Sequence, residues 1–194
     1  MNKQEKNRQI NIYMAGVGGQ GIGLLSEALI RAYDYAGLEV RGADTHGLSQ
    51  RGGIVSSTLR AGPGVFSPLI EPGMADIVLA LERTEAFRAC RDMLKEGGTL
   101  IYYDAYWQPL PVRLKESGDI RTEDVSEYAA SRNIRTERVF EENLPDPRMQ
   151  NTALLSHALR HGLLPFVTVR EMRQAYGDLL SEPLLGQNLD FLVI

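Results

Sequence analysis

Two glycine-rich stretches hold most of the residues that could bind or position a reacting group. Gly16-Val17-Gly18-Gly19-Gln20-Gly21 fits the spacing G-x-G-x-x-G. Glycines there let a backbone turn sharply and approach a ligand, and the free N–H groups of a helix starting at such a turn favour an anion. The spacing alone leaves two readings open, nicotinamide or flavin dinucleotide binding and close helix–strand packing. A dinucleotide site also wants an acid at the end of the second strand, and Asp44, 23 residues beyond Gly21, is the candidate. Gly19 and Gln20 are not demanded by that fingerprint and need another explanation. The second stretch, Asp44-Thr45-His46-Gly47-Leu48-Ser49-Gln50-Arg51-Gly52-Gly53, gathers carboxylate, hydroxyl, imidazole, amide and guanidinium groups. Arg51 could meet a carboxylate or phosphate bidentately. The plainer reading is a loop whose side chains satisfy their own backbone.

These loops need elements to hold them. Ile10 to Ala15 alternates and runs into the first glycines, as a strand entering a tight turn does. Leu24, Leu25, Ala28, Leu29, Ala32 and Ala36 follow at helical spacing, and Gly37 stops the helix. Leu38 to Asp44 reads as extended, Thr45 to Gly53 as loop and Ile54 to Arg60 as strand. Ala61 to Gly73 is turn-rich, with a short edge strand expected around Val65 and Phe66. Asp76 to Leu81 reads as a strand buried on both faces, Glu82 to Leu94 as a helix and Thr99 to Tyr103 as a strand. A helix over Glu123–Asn133, a strand over Ile134–Phe140 and helices near Arg148–His161 and Val169–Leu180 complete the series, after which the chain is expected to trail to Ile194. The alternation argues one α/β domain over residues 1–194, a three-layer α/β/α, Rossmann-like fold with a mostly parallel sheet and a polar tail at 1–9. In such a sheet both loops lie at the carboxyl edge, where open α/β sheets bind ligands.

Composition narrows the functions. With 25 acidic and 21 basic residues the net charge is −4, which argues against nucleic acid and anionic membrane as partners. One cysteine excludes an internal disulfide and any thiolate-held zinc or iron–sulfur cluster in this chain. The first residues lack the apolar core of a secretory signal and no apolar run could span a bilayer, so a cytoplasmic protein is expected. Cys90 falls on the apolar face of its helix, as a buried thiol. His157 and His161 stand at i and i+4, with no third metal ligand nearby in sequence. Glu82 and Glu85 suit the first turn of a helix better than acid–base work. Asn151 could cap its helix or meet a ligand. Trp107, among Tyr102, Tyr103 and Tyr106, is either core or interface.

Taken together, the two loops resemble those of the gamma subunit or domain of 2-oxoacid:ferredoxin oxidoreductases. The likeness is strongest to the small (beta) subunit of the indolepyruvate enzyme, whose second loop carries a similar His-Gly-x-x-Gln-Arg-Gly-Gly. The Pro-Glu-x-Arg-Gly-Gly more usual in the pyruvate and 2-oxoglutarate branches is missing. The resemblance continues through Ser67-Pro68-Leu69-Ile70, Ala75–Ala80, Gly97–Leu100 and Asp146–Asn151, nearly the whole chain. It implies an accessory subunit, inactive alone, of an enzyme that oxidatively decarboxylates a 2-oxoacid to an acyl-CoA and passes electrons to ferredoxin. Thiamine diphosphate and iron–sulfur clusters are then expected on large partner subunits, with none held by this chain, and coenzyme A is the co-substrate. The implied binding surface is Gly16, Gly18, Gly19, Gln20 and Gly21 with His46, Ser49, Gln50, Arg51, Gly52 and Gly53. None of these is assigned a catalytic role, and no metal ligand is assigned. A surface meant for a partner would leave the isolated chain able to self-associate. The alternatives are a stand-alone Rossmann-type nucleotide-binding dehydrogenase or sensor, and a binding module with no enzyme partner.

Overall fold

Ile10, Ile12 and Met14 alternate with Asn11 and Tyr13, so the first strand turns one side chain to each face of the sheet in succession. This is β1 (Ile10–Val17). It leads to α1 (Ile22–Tyr35), β2 (Val40–Thr45), β3 (Ile54–Ala61), β4 (Ala75–Ala80), α2 (Arg83–Asp92) and β5 (Leu94–Tyr103). Then come α3 (Thr122–Ser131), β6 (Arg135–Val139), a 3-10 turn at Pro147–Met149, α4 (Gln150–Arg160), α5 (Val169–Leu179) and α6 (Leu184–Phe191). The structure, a computed structural model, describes residues 8–45, 53–108, 112, 114 and 118–192.

The six strands stand in the order β2-β3-β1-β4-β5-β6. β1, β4, β5 and β6 pair in parallel, whereas β3 lies antiparallel between β1 and β2. Five strands therefore point one way and β3 is reversed, so the sheet is mixed. The reversal follows from the short β2–β3 connection, since a parallel return needs a crossover of a dozen or more residues.

Two apolar clusters fill the spaces on either side. Ile10, Ile12 and Met14 pack with α1, α4 and α5, while Ala15, Val78 and Ala80 pack with α2 and α3. β4 is buried on both faces, as its unbroken apolar run requires. The three-layer expectation holds over the centre of the sheet. At β2 and β3, only α1 among the described helices makes substantial contact. Gly42 lies against Ile30 of α1, and Leu59 and Ala61 join the α1-side core. The opposite face, with Arg41, Ala43, Ser56, Thr58 and Arg60, holds no fully buried side chain.

Two expectations fail. No strand forms at Val65 and Phe66. Gly62 and Gly64 both take positive φ there, and Arg60 occupies the carbonyls of Ser67 and Leu69 that a ladder would need. The chain after Leu180 does not trail either. It folds into α6, whose Asn188 is buried and accepts a hydrogen bond from Thr152.

Candidate functional site

The glycine loop joins β1 to α1 at the carboxyl edge of the sheet, and separate steric demands select its glycines. Gly19 (φ 103°) and Gly21 (φ 85°) adopt the left-handed conformation that side chains disfavour. A Cβ on Gly21 would also come within 2.9 Å of Asn151 Nδ2. At Gly16 a Cβ would press on Gln20 and Ile22 at 3.0 Å. Gly21 caps α1 without a side chain, and the helix ladder begins only with Leu25 N–H donating to Gly21 O (3.0 Å). The N–H groups of the first turn are left without a partner within the helix, at its positive end.

Gln20, which the nucleotide fingerprint left unexplained, is an internal clamp. Its Oε1 accepts from Val17 N–H at 2.8 Å and its Nε2 donates to Leu81 O at 2.8 Å, all buried. The side chain thus ties the end of β1 to the end of β4, and its amide faces inward. Asn151, left open between cap and ligand, accepts from Thr152 N–H at 2.8 Å and lies against Gly21. It fixes the loop from the side of α4.

The second loop is anchored at the same edge. Thr45 ends β2 opposite Ser56, and Ile54 pairs with Val17. Gly18 N–H donates to Gly53 O at 2.9 Å, so the two glycine stretches touch. His46, Ser49, Gln50, Arg51 and Gly52 lie outside the described residues. Asp44 is placed where a dinucleotide site does not need it. With β3 inserted between β1 and β2, it stands two strands from the glycine loop, about 10 Å across the sheet.

A cavity of about 220 Å³ opens beside Gly19 and Gly21, between α1 and the C-terminal helices. Leu24, Met149, Leu180 and Leu184 give it apolar walls. Arg148 at its rim is bound bidentately by Asp146, whose carboxyl that guanidinium holds down to about 2, so the pair brings no net charge. The cavity leaves no local mark in the sequence, because α6, which closes it, is a short helix that carries Gly186 and Asn188.

Further along the same edge, buried Asp104 accepts from Arg83 Nε and Arg138 Nε, both at 2.6 Å, pinning α2 and β6 to the end of β5. Trp107 is 61% exposed, which decides against a core role. Glu82 is the N-cap of α2, accepting from Glu85 N–H (2.9 Å) and Trp107 N–H (3.1 Å). Burial raises the carboxyl pKa of both Glu82 and Glu85 above the ordinary range. The native state then holds these protons at pH values where the unfolded chain has released them, so stability falls as pH rises through the raised values. Urea titrations at about pH 5 and 7.5 should show a smaller acid-side gain for Glu82→Gln than for the parent chain. Equal gains would remove Glu82 from that account.

Cys90 is buried, and desolvation pushes its thiol up to about 11. His157 Nε2 lies 3.1 Å from Glu137 Oε2, and its ring centroid is 4.4 Å from that of His161. Among the described residues no group of three or more His, Cys, Asp or Glu side chains is arranged to hold a metal ion. No described helix is long and apolar enough to cross a membrane.

The chain matches the pyruvate ferredoxin/flavodoxin oxidoreductase family over residues 11–191. It is 46% identical over 87 residues to the indolepyruvate oxidoreductase subunit IorB of Archaeoglobus fulgidus, covering 45% of this chain and 43% of that one. To the protein of the same name from Thermococcus kodakarensis it is 39% identical over 104 residues, 54% of this chain and 50% of that one. The chain thus spans about half the length of these curated relatives. Among solved structures, the keto/oxoacid ferredoxin oxidoreductase gamma subunit of Geobacter sulfurreducens shares the fold at a TM-score of 0.64 and 20% identity, over 94% of each chain. A 2-oxoglutarate:ferredoxin oxidoreductase chain of Magnetococcus marinus shares it at 0.61 and 18% identity, over 96% of this chain but 30% of that longer one.

Proposed function

The chain belongs to the pyruvate ferredoxin/flavodoxin oxidoreductase family, and from that premise we propose that it is the accessory small subunit of a 2-oxoacid:ferredoxin oxidoreductase. The observation that carries this reading is the joining of the two glycine loops at one sheet edge through Gly18 and Gly53. That edge carries the first-turn N–H groups of α1, which have no partner within the helix, with an apolar cavity alongside. First-turn N–H groups of α1 suit an anionic group, and the cavity suits an uncharged moiety. Coenzyme A and an aryl or alkyl 2-oxoacid both combine the two. We assign this edge to the substrate and coenzyme A side of the assembled active site, with catalysis on a larger partner.

Thiamine diphosphate supplies the decarboxylation and iron–sulfur clusters supply the path for electrons to ferredoxin, and we place both on partner subunits. Cys90, the single cysteine, is buried on the inner face of α2, and one thiol does not fit a cluster's ligand set. The role left to this chain is to bind, orient and shield. The stand-alone dehydrogenase reading loses its ribose partner, because β3 separates Asp44 from the glycine loop.

The test is reconstitution. Co-expressed with its large partner, the chain should be required for 2-oxoacid-dependent reduction of ferredoxin. Arg51→Ala should then raise the KM for coenzyme A by about 10- to 100-fold, the loss of one charge-assisted contact. Unchanged turnover and coenzyme A dependence would remove Arg51 from the site. Tight nicotinamide nucleotide binding by the isolated chain, with no partner requirement, would overturn the subunit reading.

A further inference from the structure

The sheet face of β2 and β3 that α1 does not cover is chemically incomplete. Arg41 and Arg60 stand directly opposite each other in the β2–β3 register, a like-charge cross-strand pair that is ordinarily destabilising. Among the described residues Arg41 donates only to its neighbour's carbonyl, Val40 O, at 2.8 Å. Arg60 donates to Asn11 Oδ1 (2.9 Å), Gln9 Oε1 (3.1 Å) and Ser67 O (3.3 Å). Among the described residues neither guanidinium meets a carboxylate, and Glu39, two residues before Arg41, bridges to neither. Between and beside these cations the face is small and flat, with Ala43, Ser56 and Thr58.

Apolar groups mark both ends. Ile54, on the same face as Arg60, is 53% exposed at the glycine-loop end. Beyond Arg60 the strap it holds at Ser67 and Leu69 carries Phe66 (88% exposed) and Leu69 (72% exposed). Exposed large apolar residues grouped around a polar centre mark interaction surfaces. Ile54 and Arg60 lie six positions apart along β3, about 20 Å of strand. That length suits one packed helix.

We infer that this face docks the large subunit of the same enzyme, through an element carrying a carboxylate for the Arg41–Arg60 pair and apolar residues for its two ends. The inference rests on the subunit reading above. Charge selects the occupant: a second copy meeting this face by a two-fold would bring four guanidiniums together, and the chain's net charge of −4 disfavours nucleic acid. The same fold occurs in the Magnetococcus marinus chain as 30% of one longer polypeptide. The missing third layer over β2 and β3 would then be supplied in trans.

The experiment uses the full chain and its co-expressed large subunit, with affinity measured by surface plasmon resonance at low and high salt. Arg41→Glu and Phe66→Asp should each weaken binding by about 30-fold or more, the effect of losing an interface anchor, with unchanged circular dichroism. The parent complex should weaken as salt rises. Amide hydrogen exchange on the parent proteins keeps the test independent of the variants, and should slow in the complex at residues 54–60 and 66–69. Parent binding with both variants within about threefold and no protection there would overturn the docking face while leaving the subunit reading standing. No binding by the parent chain would overturn both. A dimer of the isolated chain that Arg41→Glu abolishes, with large-subunit binding unaffected, would assign the face to a second copy and overturn the inference.

Discussion

Gln20→Ala is expected to cost about 3 kcal/mol of stability. The substitution strands a buried donor, Val17 N–H, and a buried acceptor, Leu81 O, that have no other described partner. Each orphaned group carries a desolvation penalty of about 1–3 kcal/mol, and a side-chain cavity adds to it. For a chain of this length the midpoint of thermal unfolding should fall by roughly 6–12 °C. Gln20→Glu should rescue little. It restores an acceptor for Val17 N–H but turns a second carboxylate oxygen toward the carbonyl of Leu81. A midpoint within about 2 °C of the parent for Gln20→Ala would show that the clamp has no energetic role.

The second large effect belongs to Gly21. An alanine there must hold φ near 85°, costing about 1–2 kcal/mol for an L-residue, and its methyl meets the Asn151 amide. Together these predict a loss of about 2–4 kcal/mol. The steric part can be separated from the conformational part by a double-mutant cycle. Asn151→Ala alone should cost about 1 kcal/mol for its lost bond to Thr152. The pair Gly21→Ala and Asn151→Ala should then be less destabilised than the sum of the singles, by about 1 kcal/mol. Additivity within about 0.5 kcal/mol would mean that backbone strain alone fixes the glycine.

Both residues show where the sequence was readable and where it was not. The strand, glycine turn and helix from Ile10 to Ala36 were legible because alternation, a run of glycines and helical spacing are local signals. Gln20 was visible only as an excess over the nucleotide pattern. Its role became clear once β4 lay beside β1, a contact between residues 61 positions apart in sequence. The same limit hid the insertion of β3, since nothing local in Ile54–Ala61 says which strand it will pair with. It also made Asp44 look better placed than it is, because counting residues along the chain cannot register an intervening strand. Leu184–Phe191 escaped notice for a different reason. It is short and holds a glycine, so its helicity depends on the cavity wall it completes and on buried Asn188 rather than on its own propensity.

The reversed strand also dictates an order of assembly during synthesis. β1 is made first, yet its neighbours are β3 and β4, and its pairing with β3 runs from Ile10 opposite Ala61 to Val17 opposite Ile54. A nascent chain that has reached only β2 therefore has a hydrophobic strand with both edges bare. It also has a glycine loop that lacks Gly53. The Gly18–Gly53 bond cannot form before β3 is made, and a truncation after β2 would leave β1 with both edges unpaired, a template for aggregation.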